Sequence, residues 1–450
     1  MRTVIDKMRK DAWEVCQAAL WAADAGNAIR RHLQWVGADL HIAGKATRIH
    51  GERRVWLLGA GKASALMAQA AREILGNRVA GGLVAVKYGH SVEVQGVPVL
   101  ESGHPLSDAG SVRAAEQMVR LLKEETGSDD LVIFLLSGGA SALLELPAVG
   151  LTLEDIIATS RLLLSCGANI HEMNCIRKHL SAIKGGQLAR HASGIEMHTL
   201  VLSDVPGDNL DVIGSGPTVA DSSTFSQAMA IVRGYGLEDR IPERVHHYLA
   251  QGCLGSRQET VKQGDPCLRL QSAAIVGSNL LSCEAAREKA VRLGYQVEIL
   301  STRVSQDNRV YARFLMDKIR KLASRPETLP APLMLISGGE TTVQLTGNGK
   351  GGRNQDLVLN CLEDLSHTAQ PAVLVSLGTD GTDGPTDAAG AMADNFTLER
   401  HRGISARPLE SFREENDSYH FFQPLGDLII TGPTGTNVMD LHLLLIHPPA

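Results

Sequence analysis

The stretch Pro332–Leu359, PLMLISGGETTVQLTGNGKGGRNQDLVL, narrows the folds open to this chain more than any other. An apolar run, Leu333 to Ile336, stops at Ser337-Gly338-Gly339-Glu340-Thr341-Thr342. A short alternating segment, Val343 to Thr346, leads into a glycine-rich region around Lys350. Gly351-Gly352-Arg353-Asn354-Gln355 then opens a helix-like segment. The order is strand, glycine turn, short strand, glycine loop and helix start. Glycine lets backbone N–H groups come close to a ligand. A helix start adds free N–H donors and the positive end of a dipole. Arg353 adds a planar fork suited to carboxylate or phosphate. The stretch reads as half of an anion site. Its candidate binding residues are Gly338, Gly339, Glu340, Thr341, Asn354 and Gln355.

The same design recurs along the chain. Val55 to Leu58 ends in Gly59-Ala60-Gly61-Lys62-Ala63-Ser64 and a helix through Leu75. Leu131 to Leu136 ends in Ser137-Gly138-Gly139-Ala140-Ser141, and Thr199 to Leu202 in Ser203-Asp204-Val205-Pro206-Gly207-Asp208. Ser215-Gly216-Pro217-Thr218 follows, and Ala273 to Val276 ends in Gly277-Ser278-Asn279. Val373 to Leu377 ends in Gly378-Thr379-Asp380-Gly381-Thr382-Asp383-Gly384-Pro385-Thr386-Asp387. Strands alternating with helices predict an α/β fold with mainly parallel sheets. In such folds the polar turns gather in one crevice at the strand C-termini. Forty-five glycines in 450 residues supply those turns; a typical chain has about 7%. This length exceeds what one core serves, so two domains are expected. The segment 251–268, rich in glycine, proline and charge, reads as the linker between domains at 1–250 and 269–450.

Composition excludes several partners. A formal charge of −6 argues against nucleic-acid or membrane binding, which needs basic stripes. Aromatics at 4% leave little for base stacking. The first 23 residues interleave charges with apolar positions, as an amphipathic helix does and a signal peptide does not. Seven scattered cysteines point to a reducing compartment, hence the cytoplasm. Cys166, His171, Cys175 and His179 have zinc-ligand chemistry, but packed cysteines and surface histidines explain them equally well. The oligomeric state stays open, a homo-oligomer included.

Two nucleotide motifs fail at residues 56–64. A P-loop needs glycine where Trp56 stands, and a dinucleotide fingerprint needs a third glycine where Ser64 stands. What survives is a strand–Gly–Lys62–helix turn able to hold an anion. Lys87, at the end of the strand Gly82 to Lys87, reads as the less important lysine. Asp380, Asp383 and Asp387 between glycines suit Mg²⁺, with Asp380 and Asp383 as its candidate ligands. A turn-rich surface loop is the other reading of them. Asn174, Lys178 and Lys184 stand on a basic helical stretch that a solvated face also explains. Lysine, arginine, acids, hydroxyls and backbone N–H, without a His–Ser or Cys–His pair, suit phosphoryl transfer.

These motifs also carry a resemblance. GAGKAS at 59–64, SGGASALL at 137–144, the Glu172–Ser181 stretch with Lys184-Gly185-Gly186, SDVPGD, SGPT, SGGETTV, GGRNQ, GTDGTDGPTDAAG and TGPTGTNV fall in the order and spacing of the class II glycerate kinases. That family has an N-terminal glycerate-kinase domain and a C-terminal MOFRL domain. The resemblance spans residues 10 to 445. It implies a two-domain α/β fold, Rossmann-like in its N-terminal part, with the site in the interdomain cleft. It also implies ATP- and Mg²⁺-dependent phosphorylation of D-glycerate to 2-phosphoglycerate. Lys62, Arg353 and Asp380 match the family's main functional positions. Ser137, Gly138, Gly139, Ser141, Asn174, Lys178, Lys184, Asp204, Ser215 and Asp383 join the binding residues named above. Ala140, Ser278, Met439 and Thr302-Arg303-Val304 depart from the family pattern. Family members have also been labelled hydroxypyruvate reductases, which is the alternative activity. A non-catalytic sugar-phosphate sensor is the third reading.

Overall fold

A computed structural model of the chain describes residues 1–51, 53–323 and 329–448. The chain divides into two compact units, Ala25–Val276 and Met1–Asp24 with Gly277–Ala450. Each contains its own six-stranded sheet flanked by helices.

In the Ala25–Val276 unit the sheet order is Val99–Ser102, Val79–Lys87, Val55–Ala60, Leu131–Leu136, Glu196–Leu202 and Gln271–Gly277. The first five strands are parallel. Val55–Ala60 and Leu131–Leu136 are buried at every residue, which marks strands covered on both faces. Ala60 pairs with Ala85 and Leu136, Leu136 with Val201, and Lys87 with Ser102. The turns that follow these positions therefore leave the sheet along one edge. Asp108 caps the helix Ala109–Glu124, accepting a 3.0 Å hydrogen bond from the Ser111 N–H.

Three expectations change in this unit. A three-stranded antiparallel sheet, Leu33–Val36, Asp39–Ile42 and Lys45–Arg48, occupies a region without a clear strand signal. The basic stretch read as helical resolves into Ile170–His179, capped by Asn169, and Gln187–His191, with Lys184 in the turn between them. Residues 251–268 are not a linker. Within them Thr260 and Val261 are buried, the Val261 N–H donates to Gly185 O, and Glu259 accepts from the Phe225 N–H. Glycine and charge mark a surface strap there, and the unit boundary falls at Val276.

In the second unit the order is Gln296–Val304, Leu333–Gly339, Asp440–Ile446, Ala372–Gly378, Gly390–Asp394 and Leu428–Ile429. One neighbouring pair is parallel and four are antiparallel. The sheet is thus mixed, and the expectation of parallel neighbours holds only for the first sheet. Asp440–Ile446 runs opposite to both of its neighbours, Leu333–Gly339 and Ala372–Gly378, and Gly390–Asp394 runs opposite to Ala372–Gly378 and Leu428–Ile429. Val343 to Thr346 forms no strand; the Thr346 and Gly347 N–H groups donate to Asn416 Oδ1 instead.

The helix Arg2–Ala23 belongs to this unit and not to the segment that follows it. Its face of Ile5, Met8, Ala12, Val15, Cys16 and Ala19 shares a core with Cys283, Ala286 and Ala290 of the helix Asn279–Arg292. The small residues suit close helix packing. Arg9 reaches past this core to two buried carboxylates, Asp394 and Asp427, at 2.6 Å each. Arg400 also binds Asp427. Removing Arg9 strips a charge partner from both acids. Arg9→Ala is expected to cost about 3 kcal/mol in urea unfolding. An unchanged midpoint would show that Arg400 alone satisfies both acids.

Candidate active site

At the strand ends of the Ala25–Val276 unit the Lys62 turn is stitched to both neighbouring strands. The Gly61 N–H donates to Ala85 O at 3.0 Å and the Lys62 N–H to Gly138 O at 2.9 Å. Ser137 braces the turn from below: its Oγ accepts from the Ala63 N–H at 3.1 Å and lies 2.9 Å from Ser64 Oγ. Being 1% exposed, Ser137 is a brace and not the open ligand contact read from the sequence. Gly139 has φ +87°, a left-handed conformation. A Cβ there would stand 3.2 Å from His104 Nε2 and 3.4 Å from Lys62 Cε, so both side chains lie over this glycine. A Cβ on Gly138 would stand 2.0 Å from Asp204 Oδ2. The turn therefore holds Lys62, His104 and Asp204 about two glycines.

Lys87, read from the sequence as the less important lysine, belongs to the same cluster. Burial, then Lys62, Lys87 and His90, push the His104 pKa down to about 4 and keep the ring neutral. Burial and then Lys87 also lower His90. Sequence reasoning passed over His90 and His104. Only the pairing of Lys87 with Ser102 in parallel strands carries the His104 loop to this edge.

Other candidates in this unit are engaged elsewhere. Ser141 Oγ lies 2.8 Å from Ser215 Oγ, which donates to Asn174 Oδ1 at 3.1 Å. Lys178 is held by Asp221 at 3.1 Å and Asp211 at 3.2 Å. Lys184, 1% exposed, pairs with Glu145 at 2.6 Å. Neither amine is open to a ligand, because each neutralises a buried acid. The zinc reading also fails. His179 uses both ring nitrogens, on Cys175 O and Glu259, and Cys166 donates to Leu163 O. Among the described residues no three His, Cys, Asp or Glu side chains gather as a metal set.

The second unit builds its edge around Asp440, which pairs with Gly339 on one side and Gly378 on the other. That register brings the Gly338-Gly339-Glu340 turn and the Asp380 turn to the two sides of one carboxylate. Asp440 is 0% exposed. Arg353 donates to it twice, from Nε at 2.6 Å and Nη2 at 2.9 Å, and Nη1 meets Glu340 at 2.8 Å. The guanidinium expected to clamp a ligand is thus occupied by protein carboxylates. Burial opposes its charge, and the Asp440 carboxylate more than restores it, so its pKa lies above the usual guanidinium value.

The helix Arg353–His367 was expected to offer its N-terminus to an anion. The protein fills that place with Asp383, which accepts from the N–H groups of Asn354 at 3.0 Å and Gln355 at 2.9 Å. The Gln355 amide adds a third bond at 3.0 Å. Asp383 is 2% exposed, and burial pushes its pKa up to about 7 against these donors. It is a capping residue and not an open Mg²⁺ ligand. Asn354 and Gln355, both 0% exposed, serve the same internal network. Gly338 and Gly339 back onto Asn279 and the Val304 backbone. Asp387 accepts from Tyr419, which lowers its pKa. Asp380 differs from all of these. It is half-buried, and its Oδ1 accepts from the Thr382 N–H at 3.0 Å. Thr341 and Arg353 also line a cleft of about 380 Å³ with Gly352, Asp356 and Gly384.

The two aspartates should behave differently. Asp383→Asn sets an amide NH₂ against amide donors and removes the capping charge, which is expected to cost about 2 kcal/mol in chemical denaturation. Asp380→Asn should stay within about 0.5 kcal/mol of wild type. Equal losses would place both in the same structural role. Arg353→Lys cannot reproduce the two bonds to Asp440 and is expected to lower stability by about 1–3 kcal/mol. A wild-type melt for that variant would mean that a single ammonium contact suffices.

Comparison with known proteins agrees with this architecture. Residues 11–250 match a domain of unknown function (DUF4147), and residues 333–440 match the MOFRL family. A glycerate 2-kinase from Pyrococcus horikoshii is 38% identical over 431 residues, 95% of each chain. A D-glycerate 2-kinase from Thermotoga maritima is 37% identical over 442 residues, 98% of this chain and 99% of that one. A protein from Agrobacterium vitis, provisionally named a hydroxypyruvate reductase, is 40% identical over 87% of each chain. The crystal structure of glycerate kinase from Thermotoga maritima superposes with a TM-score of 0.86 at 36% identity, covering 98% of this chain and all of that one. Motif order, the two α/β units and likeness along almost the whole length agree: the chain belongs to the glycerate 2-kinase family, in which a DUF4147 domain is joined to a MOFRL domain.

Proposed function

We propose that the protein transfers the γ-phosphoryl group of ATP to the 2-hydroxyl of D-glycerate, giving 2-phosphoglycerate and ADP. The observation that carries this reading is the nearly end-to-end similarity, at 38% and 37% identity, to two enzymes named for glycerate 2-phosphorylation. The hydroxyl oxygen attacks the γ-phosphorus, the bond to the β,γ-bridging oxygen breaks, and ADP leaves. Such a transfer needs positioning and neutralised charge more than covalent help from the protein. Lys62, fixed by its turn, draws the phosphate or carboxylate charge. Asp380 is the acid free enough to orient the hydroxyl and accept its proton. Arg353 acts through Asp440 and Glu340, holding in place the Glu340 turn and the Asp380 turn that flank Asp440.

Mg²⁺ commonly binds one or two carboxylates together with substrate phosphates and water. With Asp383 sequestered, Asp380 is the residue of the expected pair whose exposure fits that role. When bound, the ion would neutralise phosphate charge as transfer proceeds. The reductase reading is weaker on physical grounds. Ser64 fills the third-glycine position, is 0% exposed and is sealed against Ser137, so a pyrophosphate finds no cradle there.

The test is paired assays: D-glycerate with ATP–Mg²⁺, and hydroxypyruvate with NADH. Phosphoryl transfer is expected in the first and no NADH oxidation in the second. Lys62→Ala should abolish nearly all turnover, and Asp380→Asn should lower it by about two orders of magnitude while melting normally. NADH oxidation without phosphorylation would replace the kinase reading, and wild-type turnover in Lys62→Ala would remove that lysine from the chemistry.

A further inference from the structure

Four groups able to carry positive charge gather about His104, which lies over the Gly139 turn. Lys62 follows the strand Val55–Ala60, Lys87 and His90 end and follow Val79–Lys87, and His104 follows Val99–Ser102. The acids near them are committed. Glu101 accepts from the Gly89 N–H at 2.8 Å and faces His90. Asp108 accepts from Tyr88 Oη at 2.8 Å and from the Gly103 backbone, which pins the His104 loop. Asp204 lies against Gly138. Among the described residues neither Lys62 nor Lys87 forms an ion pair, and no hydrogen-bond partner is found for His104. Two lysines beside a ring that they help keep neutral make a place for an anion that arrives from outside.

We propose that Lys62, Lys87, His90 and His104 form one binding site for a phosphate dianion on the Gly139 turn, and that His104 takes up a proton as the dianion binds. Only the identity of the phosphate carrier rests on the kinase reading. His104 Nε2 stands over the turn, 3.2 Å from where a Gly139 Cβ would be. Burial and then the neighbouring cations keep the ring neutral before an anion binds. A dianion reverses the local sign, raises the ring's proton affinity and turns Nε2 into a charge-assisted donor. Binding takes up a proton between the free pKa of about 4 and the higher bound value, so affinity rises as pH falls through that window. The limit is about tenfold per pH unit for one proton.

Sulfate is the suitable probe, because it stays dianionic where phosphate itself titrates. Calorimetry of sulfate binding to the full chain at about pH 8 and about pH 6 should show affinity rising at least tenfold in the wild type. In His104→Gln the rise should fall by more than half, and in Lys87→Ala affinity should drop about tenfold at both values. Imidazole nitrogen NMR of the wild type should move His104 toward the charged form on adding sulfate, a readout that needs no variant. Displacement of sulfate by 2-phosphoglycerate would assign the site to the acceptor's phosphate. Displacement by ATP but not ADP would assign it to the γ-phosphate. Equal sulfate affinity at both pH values, a His104→Gln variant as steep as wild type, or displacement by none of these phosphates would overturn the proposal. Sulfate binding needs neither glycerate nor turnover, so the site stands or falls separately from the kinase reading.

Discussion

The carboxylate of Asp440 holds the functional edge of the second unit together. It is fully buried at the start of a strand that runs against both neighbours, and two glycine turns end beside it. An isolated carboxylate could not stay charged there. Arg353 answers it with two parallel hydrogen bonds and spends its remaining amino group on Glu340. A buried pair of this kind adds little net stability over an apolar core, but breaking it is costly. Its value here is geometric. One guanidinium fixes the beginning of the helix Arg353–His367, the Glu340 turn and the strand from Asp440 as a single arrangement, and Asp380 is presented beside it.

Much of this was legible in the residues. Apolar runs ending in glycine located Val55–Ala60, Leu131–Leu136, Leu333–Gly339 and Ala372–Gly378, because a buried strand leaves a continuous hydrophobic trace. The lysine and aspartate turns were equally visible. What was hidden depends on sheet order. The strand Asp440–Ile446 carries an apolar trace, LHLLLI, but nothing local tells it to insert between Leu333–Gly339 and Ala372–Gly378. Asp440, and with it the true partner of Arg353, was therefore missed. Asp383 was misread for a related reason. A carboxylate between glycines looks like a metal ligand, yet burial beneath a helix start makes it that helix's own counter-charge. Lys178 and Lys184 show the converse: basic residues on a helix become neutralisers of Asp221 and Glu145 once the chain is folded.

The two units carry opposite local chemistry. The edge of the parallel sheet gathers lysines and histidines, while around Arg353 the acids outnumber the base. A net charge of −6 conceals both. Local sign is what an anionic reactant meets, since beyond about 10 Å ordinary salt screens the remaining charges.

The chain leaves one unit after Asp24 and returns to it at Gly277, so the helix Arg2–Ala23 has no partner until long after its synthesis. Its apolar face of Ile5, Met8, Val15 and Cys16 waits for Cys283, Ala286 and Ala290. At ribosomal speeds of roughly 5–20 residues per second, that wait is on the order of ten seconds to a minute. Over that interval the intervening unit can complete its own sheet, and the leading helix remains a greasy, unpaired segment within reach of chaperones. The arginine and lysine residues between its apolar positions keep such a segment in solution while it waits.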